Sequence, residues 1–158
     1  MLHQHKTTAQ EIADLWAIAE VGLADARVGA ISLDRRFAAA YDAARSLATI
    51  PLACTGYRTA GAGHHATTFA TLPLTMGSEY QSLVAFLDLC RVKRNVSAYR
   101  RVGQVQEGDV QDLIKAAEEL RTKLDQWLAT QHPALKPSAG GPPKTTSDSQ
   151  ASPQYREE

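Results

Sequence analysis

The chain has no apolar run approaching the about eighteen residues that a membrane-spanning helix needs, so no membrane contact is expected. Cysteine is scarce. Cys54 and Cys90 are the two, each in apolar company (PLACTG and FLDLCRV), which reads as small reduced core residues rather than a disulfide framework. Net charge is absent as well: 17 basic and 17 acidic residues balance over 158, so any attraction for nucleic acid must be local. The opening MLHQHKTTAQEIADLW lacks the apolar segment of a secretory leader, and a cytoplasmic location is the expectation. Convincing apolar–polar alternation is missing too, which argues against strands. Neither a Cys-x-x-Cys nor a His-x-x-x-His occurs, and the adjacent His64 and His65 diverge by about 100° on one helix, so neither metal nor cofactor is expected.

What is present is helical periodicity. With 44% hydrophobic and 22% charged residues, the length suits one domain, expected over residues 8–130. Thr8-x-x-Glu11 reads as a capping box, after which Ile12, Leu15, Trp16, Ala19, Leu23 and Ala26 recur at three- and four-residue steps. Ser32 can cap a second helix, whose apolar face from Leu33 through Phe37, Tyr41 and Leu47 is rich in alanine and allows close helix approach. The segment GYRTAGAGHHATTFATLPLTMG reads as loops around a short helix starting near His64, stopped or kinked by Pro73, with Gly61 and Gly63 as a hinge. Ser78-x-x-Gln81 reads as another capping box before Tyr80, Leu83, Val84, Leu87 and Cys90. The cleanest amphipathic pattern runs from Val110 to Leu128. Short connections between these helices predict an all-α antiparallel up-and-down bundle of four to five helices. Residues 131–158 hold five of the seven prolines without apolar periodicity, and a disordered tail is expected there.

One stretch stands apart from the charge balance. CRVKRNVSAYRRVG places Arg91, Lys93, Arg94, Arg100 and Arg101 within eleven residues and has no acid among them. On the helical wheel Arg94 falls between Leu83 and Leu87, inside the apolar stripe, with Arg91 at its flank. An arginine there needs an ion pair, with Asp34, Asp42 or Glu107 as candidates, or a polar groove in which guanidinium forks grip phosphate. Arg58 either joins that groove or caps the helix before it. His64 and His65 follow the glycine pair. One is expected to cap or hydrogen-bond at the helix start, and the other to stand exposed near the Arg94 groove.

A helical hairpin containing FAAAYDAAR, then GYR with GHH, then a helix ending in KRN with an aromatic soon after, resembles the HEPN superfamily of small bacterial helical bundles. The likeness covers most of residues 12–128. It implies a homodimer whose two motifs meet at the interface, RNA cleavage without metal, and a toxin–antitoxin or defence setting with an antitoxin or nucleotidyltransferase as partner. The family motif is an Arg followed by a polar residue and, four to six residues on, a His. The resemblance thus puts Arg94 and Asn95 in the first two roles and Tyr99 in the third; the reading of the residues themselves adds Arg91, Arg58, His64 and His65 to Arg94 as candidates to face phosphate.

Tyr99 departs from the pattern: a phenol with pKa of about 10 is a poor proton acceptor at neutral pH, and the loss removes a contribution of about 10²–10⁴-fold. Phosphate or nucleotide binding needs charge and donors more than a tuned base, and it survives the change. The competing expectation is a non-catalytic interaction module that docks a protein partner, its arginines serving as ion-pair scaffolding.

Overall fold

The computed structural model describes residues 2–61, 63–99 and 103–138, except for the side chains at 96–99. The expected bundle is present as an all-α fold: α1 (Ala9–Ala26), α2 (Leu33–Cys54), α3 (His64–Ala70), α4 (Leu72–Met76), α5 (Gln81–Tyr99) and α6 (Glu107–Gln131). Local chemistry sets several ends. The Thr8 hydroxyl accepts from the Glu11 amide at 3.2 Å, but Glu11 turns its carboxylate to His5 Nε2 at 2.8 Å instead of closing the box. Ser32 caps α2 by accepting from the Arg35 amide. A reciprocal box at Gln106 and Asp109, unread in the sequence because neither partner is the usual residue for its place, starts α6.

Two local expectations need correction. A two-stranded antiparallel ribbon, β1 (Leu2–Gln4) with β2 (Tyr57–Thr59), pairs His3 with Arg58; three-residue strands are too short for alternation to show. In place of the capping box at Ser78, residues Ser78–Tyr80 form one 3₁₀ turn leading into α5. The short helix expected from His64 ends at Ala70, ahead of Pro73, which then sits in the first turn of α4, where the missing N–H of proline costs nothing.

The central element is α2, which packs against α1, α3, α4, α5 and α6. Its alanines make this possible: Ala40, Ala43, Ala44 and Ala48 are fully buried and let neighbours approach closely. Gly22 of α1 completes the fit, because a Cβ there would lie 2.8 Å from the Ala39 carbonyl oxygen. Phe37, Tyr41, Leu47, Leu87, Leu113 and Leu124 form the bulk of the core around α2. The cysteines are free thiols, Cys90 buried and Cys54 half-buried, and desolvation pushes them up to about 12 and about 11.

The junction of three helices is tied by Arg36. Its Nε donates to the Ala26 carbonyl at the end of α1 at 2.7 Å, and its two terminal nitrogens donate to Glu107 of α6 at 2.8 and 3.0 Å. After α6 the chain turns at Pro133–Lys136, where Leu135 packs on the core and Lys136 pairs with Asp125 at 3.5 Å. The expected tail from 131 thus includes ordered contacts up to Lys136, and residues 139–158 lie outside the described residues. Among the described residues no helix is long and apolar enough to cross a membrane.

Candidate functional site

Between Phe37 and Ser46 the only polar side chains of α2 are Tyr41, Asp42 and Arg45, and all three converge where α2 meets α3 and α5. Tyr41 is fully buried and meets Phe69 of α3 edge-on at 5.7 Å. Against its ring from the α5 side lies Arg94, whose guanidinium carbon is 5.1 Å from the ring centroid. From α3 comes His65, its ring centroid 6.0 Å from that of Tyr41. The wheel reading of Arg94 on the inner side of its helix is thereby met, and Tyr41 is what the arginine finds there.

Asp42 holds two guanidinium groups loosely. Arg94 Nη2 is 3.4 Å and Arg45 Nη2 is 3.9 Å from the same Oδ1 atom, and the side chains are 31%, 38% and 42% exposed for Arg94, Arg45 and Asp42. Of the three acids considered for Arg94, Asp42 is therefore the partner. Glu107 belongs to Arg36, and Asp34 accepts from the Gly103 amide at 3.2 Å.

His65 is held at both ring nitrogens. Nη1 of Arg45 lies 3.3 Å from Nε2, and the Tyr41 hydroxyl lies 3.3 Å from Nδ1. A guanidinium can only donate, so Nε2 accepts, and the imidazole proton resides on Nδ1, where it donates to the Tyr41 oxygen. Protonating Nε2 would break this arrangement. Burial, then the charges of Arg45, His64 and Arg94, lower His65 to about 4, with Asp42 opposing, so the ring is neutral at physiological pH. Burial likewise raises Tyr41, offset in part by Arg94, Arg45 and Arg91, and keeps its phenol protonated.

The remaining expected residues are distributed as follows. His64 is exposed and donates from Nδ1 to the Gly61 carbonyl at 3.0 Å, closing the turn in which Gly61 and Gly63 adopt φ of +88° and +76°. Its ring meets that of His65 edge-on at 4.3 Å. The division expected of the two histidines is met, except that the one beside Arg94 is half-buried rather than exposed. Arg91 donates to Asp88 on its own helix at 2.8 Å, and Lys93 to Asp109 of α6 at 2.6 Å. Asn95 is exposed on α5. Tyr99 ends α5, and its side chain lies outside the described residues, as do Arg100 and Arg101.

Arg58 joins neither structure expected of it. It is exposed on β2 opposite His3, while the end of α2 is closed by the amides of Thr55 and Gly56. Missed in the sequence were Tyr41, read only as a core residue, and Arg45. Their signal was available as three polar side chains at helical spacing within an alanine-rich face, though three neighbours on one helix do not reveal which other segments join them.

Among the described residues no group of three or more His, Cys, Asp or Glu side chains gathers as a metal would need. The cluster offers two guanidinium forks at the surface, one carboxylate, and a neutral imidazole with its lone pair aimed at Arg45. Comparison with protein-family models, with curated proteins and with solved structures found no match.

Proposed function

We propose that the cluster of Arg45, His65 and Arg94 around Tyr41 binds a phosphate group of RNA or of a nucleotide, in a cytoplasmic HEPN-like domain of a toxin–antitoxin or defence system. The observation that carries this reading is the gathering of His65 with Arg94 on the Tyr41 ring, which brings an imidazole from α3 to the arginine of the KRN stretch of α5. The energetics support it as well. A half-exposed ion pair at 3.4 Å is worth about 0–1 kcal/mol, whereas charge-assisted hydrogen bonds to a phosphate contribute about 1.5–3 kcal/mol each.

As it stands the site is built for binding more than for proton transfer. A base with pKa of about 4 whose lone pair is already engaged draws little from a ribose 2′-hydroxyl. Metal-independent cleavage would need that lone pair released.

The test is fluorescence anisotropy with a labelled oligoribonucleotide and with a labelled adenine nucleotide at low salt, metal chelated. Arg94→Ala is expected to weaken binding about ten-fold or more with the fold intact, and affinity should fall steeply with added salt. Asp42→Asn should tighten binding, because it removes the anion that competes for both arginines. Failure of the wild type to bind either probe at low salt would end this reading.

A second reading, a non-catalytic interaction module, is favoured by the outer surface of α5. Leu89 and Val92 are 70% and 47% exposed there, while Arg91 and Lys93 already hold acids of the same bundle. A protein partner, antitoxin or nucleotidyltransferase, or a second copy forming the homodimer, would cover those apolar side chains. Light scattering at about tens of micromolar separates the cases: a dimer dispersed by Leu89→Glu supports a self-association surface, and a wild-type monomer removes any site shared between two copies.

A further inference from the structure

We propose that Arg45 is an anion-operated latch on His65: a phosphate that takes the Arg45 guanidinium withdraws its N–H from Nε2 and leaves the imidazole lone pair open beside the bound anion. This rests on the phosphate-binding reading, which it deepens by assigning the role of regulator to a residue outside the basic stretch. The geometry is specific. Arg45 is fixed one turn from Tyr41 on α2, so one helix presents both partners of the imidazole, the donor at Nε2 and the acceptor at Nδ1. The Nδ1–H to Tyr41 contact can persist when Arg45 leaves, because it does not depend on the guanidinium. Released from one side only, the ring keeps its orientation while Nε2 becomes free.

Arg45 can move because little holds it. Its contact with Asp42 is 3.9 Å long, and its side chain is 38% exposed. The charged and titratable groups facing His65 are Tyr41, Asp42 and Arg45 from α2, His64 from α3 and Arg94 from α5. An arriving phosphate adds negative charge where Arg45, His64 and Arg94 now disfavour protonation, and it withdraws the donor that blocks Nε2. Both changes restore basicity to the imidazole. Arg45 is thus a positioning residue, acting on the chemistry through His65.

Nitrogen-15 NMR of the histidine side chains in the full chain tests the latch, since it reports tautomer and titration directly. In the wild type without ligand His65 is expected as the Nδ1–H tautomer. Arg45→Gln should keep the Nδ1–H tautomer and raise its pKa by roughly one unit, and Arg45→Lys, which keeps a cationic donor, should hold it nearer the wild type. Titrating the wild type with inorganic phosphate and with 5′-AMP should produce the same shift as Arg45→Gln, larger for AMP if a nucleotide is the source and equal if the phosphate alone operates the latch. Anisotropy on the same samples keeps the two claims apart. AMP or RNA binding that depends on Arg94 while the His65 pKa stays fixed would overturn the latch and leave the binding site. If Arg45→Gln leaves His65 unchanged, the latch is equally overturned. Absence of binding by phosphate, AMP and RNA would overturn both. If Arg45→Gln fails to fold, the Arg45→Lys titration carries the decision, because a latch predicts that phosphate shifts its His65 less than in the wild type.

Discussion

At the residue scale His65 shows how a titratable group is tuned by what it touches. Burial and three nearby cationic or histidine groups outweigh the single carboxylate of Asp42, and the ring stays neutral down to about pH 4. Its unfolded counterpart titrates near 6.5, so between about 4 and 6.5 the unfolded chain binds more protons than the folded one. Stability contributed by the neutral imidazole is therefore fully present above pH 6.5 and is lost as pH falls through that window. The thermal midpoint should drop from pH 7 to pH 4.5, and His65→Gln should flatten the profile. Depressed carboxyls such as Glu107, hydrogen-bonded by Arg36 and Gln111, add their loss at lower pH and remain in the variant. An identical slope in wild type and variant would mean that His65 is not the residue responsible.

At the element scale two contacts can be weighed by their asymmetry. Replacing Gly22 with Ala gains about 1 kcal/mol of helix propensity, but the new methyl meets the backbone carbonyl of Ala39 at 2.8 Å and the Ala43 methyl at 3.1 Å. Backbone cannot rotate aside as a side chain does, so α1 must move off α2, and overpacking of about 1–3 kcal/mol wins. Urea denaturation should show Gly22→Ala less stable than wild type. The Arg36–Glu107 bridge is uneven in another way. Arg36 is 7% exposed and Glu107 57% exposed at the side chain, so Glu107 freed of its partner returns to water, while Arg36 freed of Glu107 stays desolvated. Glu107→Ala should therefore lower the urea midpoint more than Arg36→Met, at unchanged m-value. The reverse order would show that the guanidinium reaches solvent without Glu107.

At the scale of the whole molecule the bundle is organised around α2 rather than as equal partners, and its C-terminal limit lies beyond the last helix. Residues 139–158, which lie outside the described residues, bring only Ala139, Ala151 and Tyr155 as apolar side chains. Truncation after Ser138 should leave the thermal midpoint unchanged. Truncation after Gln131 removes Leu135 from the core, the Lys136–Asp125 pair and the His132 ring that lies 5.0 Å from Trp127, and it should lower the midpoint. Differential scanning calorimetry of the two truncations locates the domain boundary.

The sequence by itself determined the helices, their apolar faces and the inward position of Arg94, because a 3.6-residue period and short capping signals are local properties that the chain carries wherever it goes. It also marked Asp42 as one of three possible partners of Arg94 and set the two histidines apart by role. Which acid meets which arginine was decided only by tertiary structure. Asp42, Asp34 and Glu107 are equivalent as carboxylates, and the packing of α2 against α5 and α6 sends one to Arg94, one to the Gly103 amide and one to Arg36. The same holds for the β1–β2 ribbon, whose three-residue strands have no periodicity of their own and exist because the two segments meet. Tyr41 and Arg45 became parts of the cluster for the same reason: their neighbours on α2 are alanines, and the residues that contact them arrive from α3 and α5, twenty and more positions away.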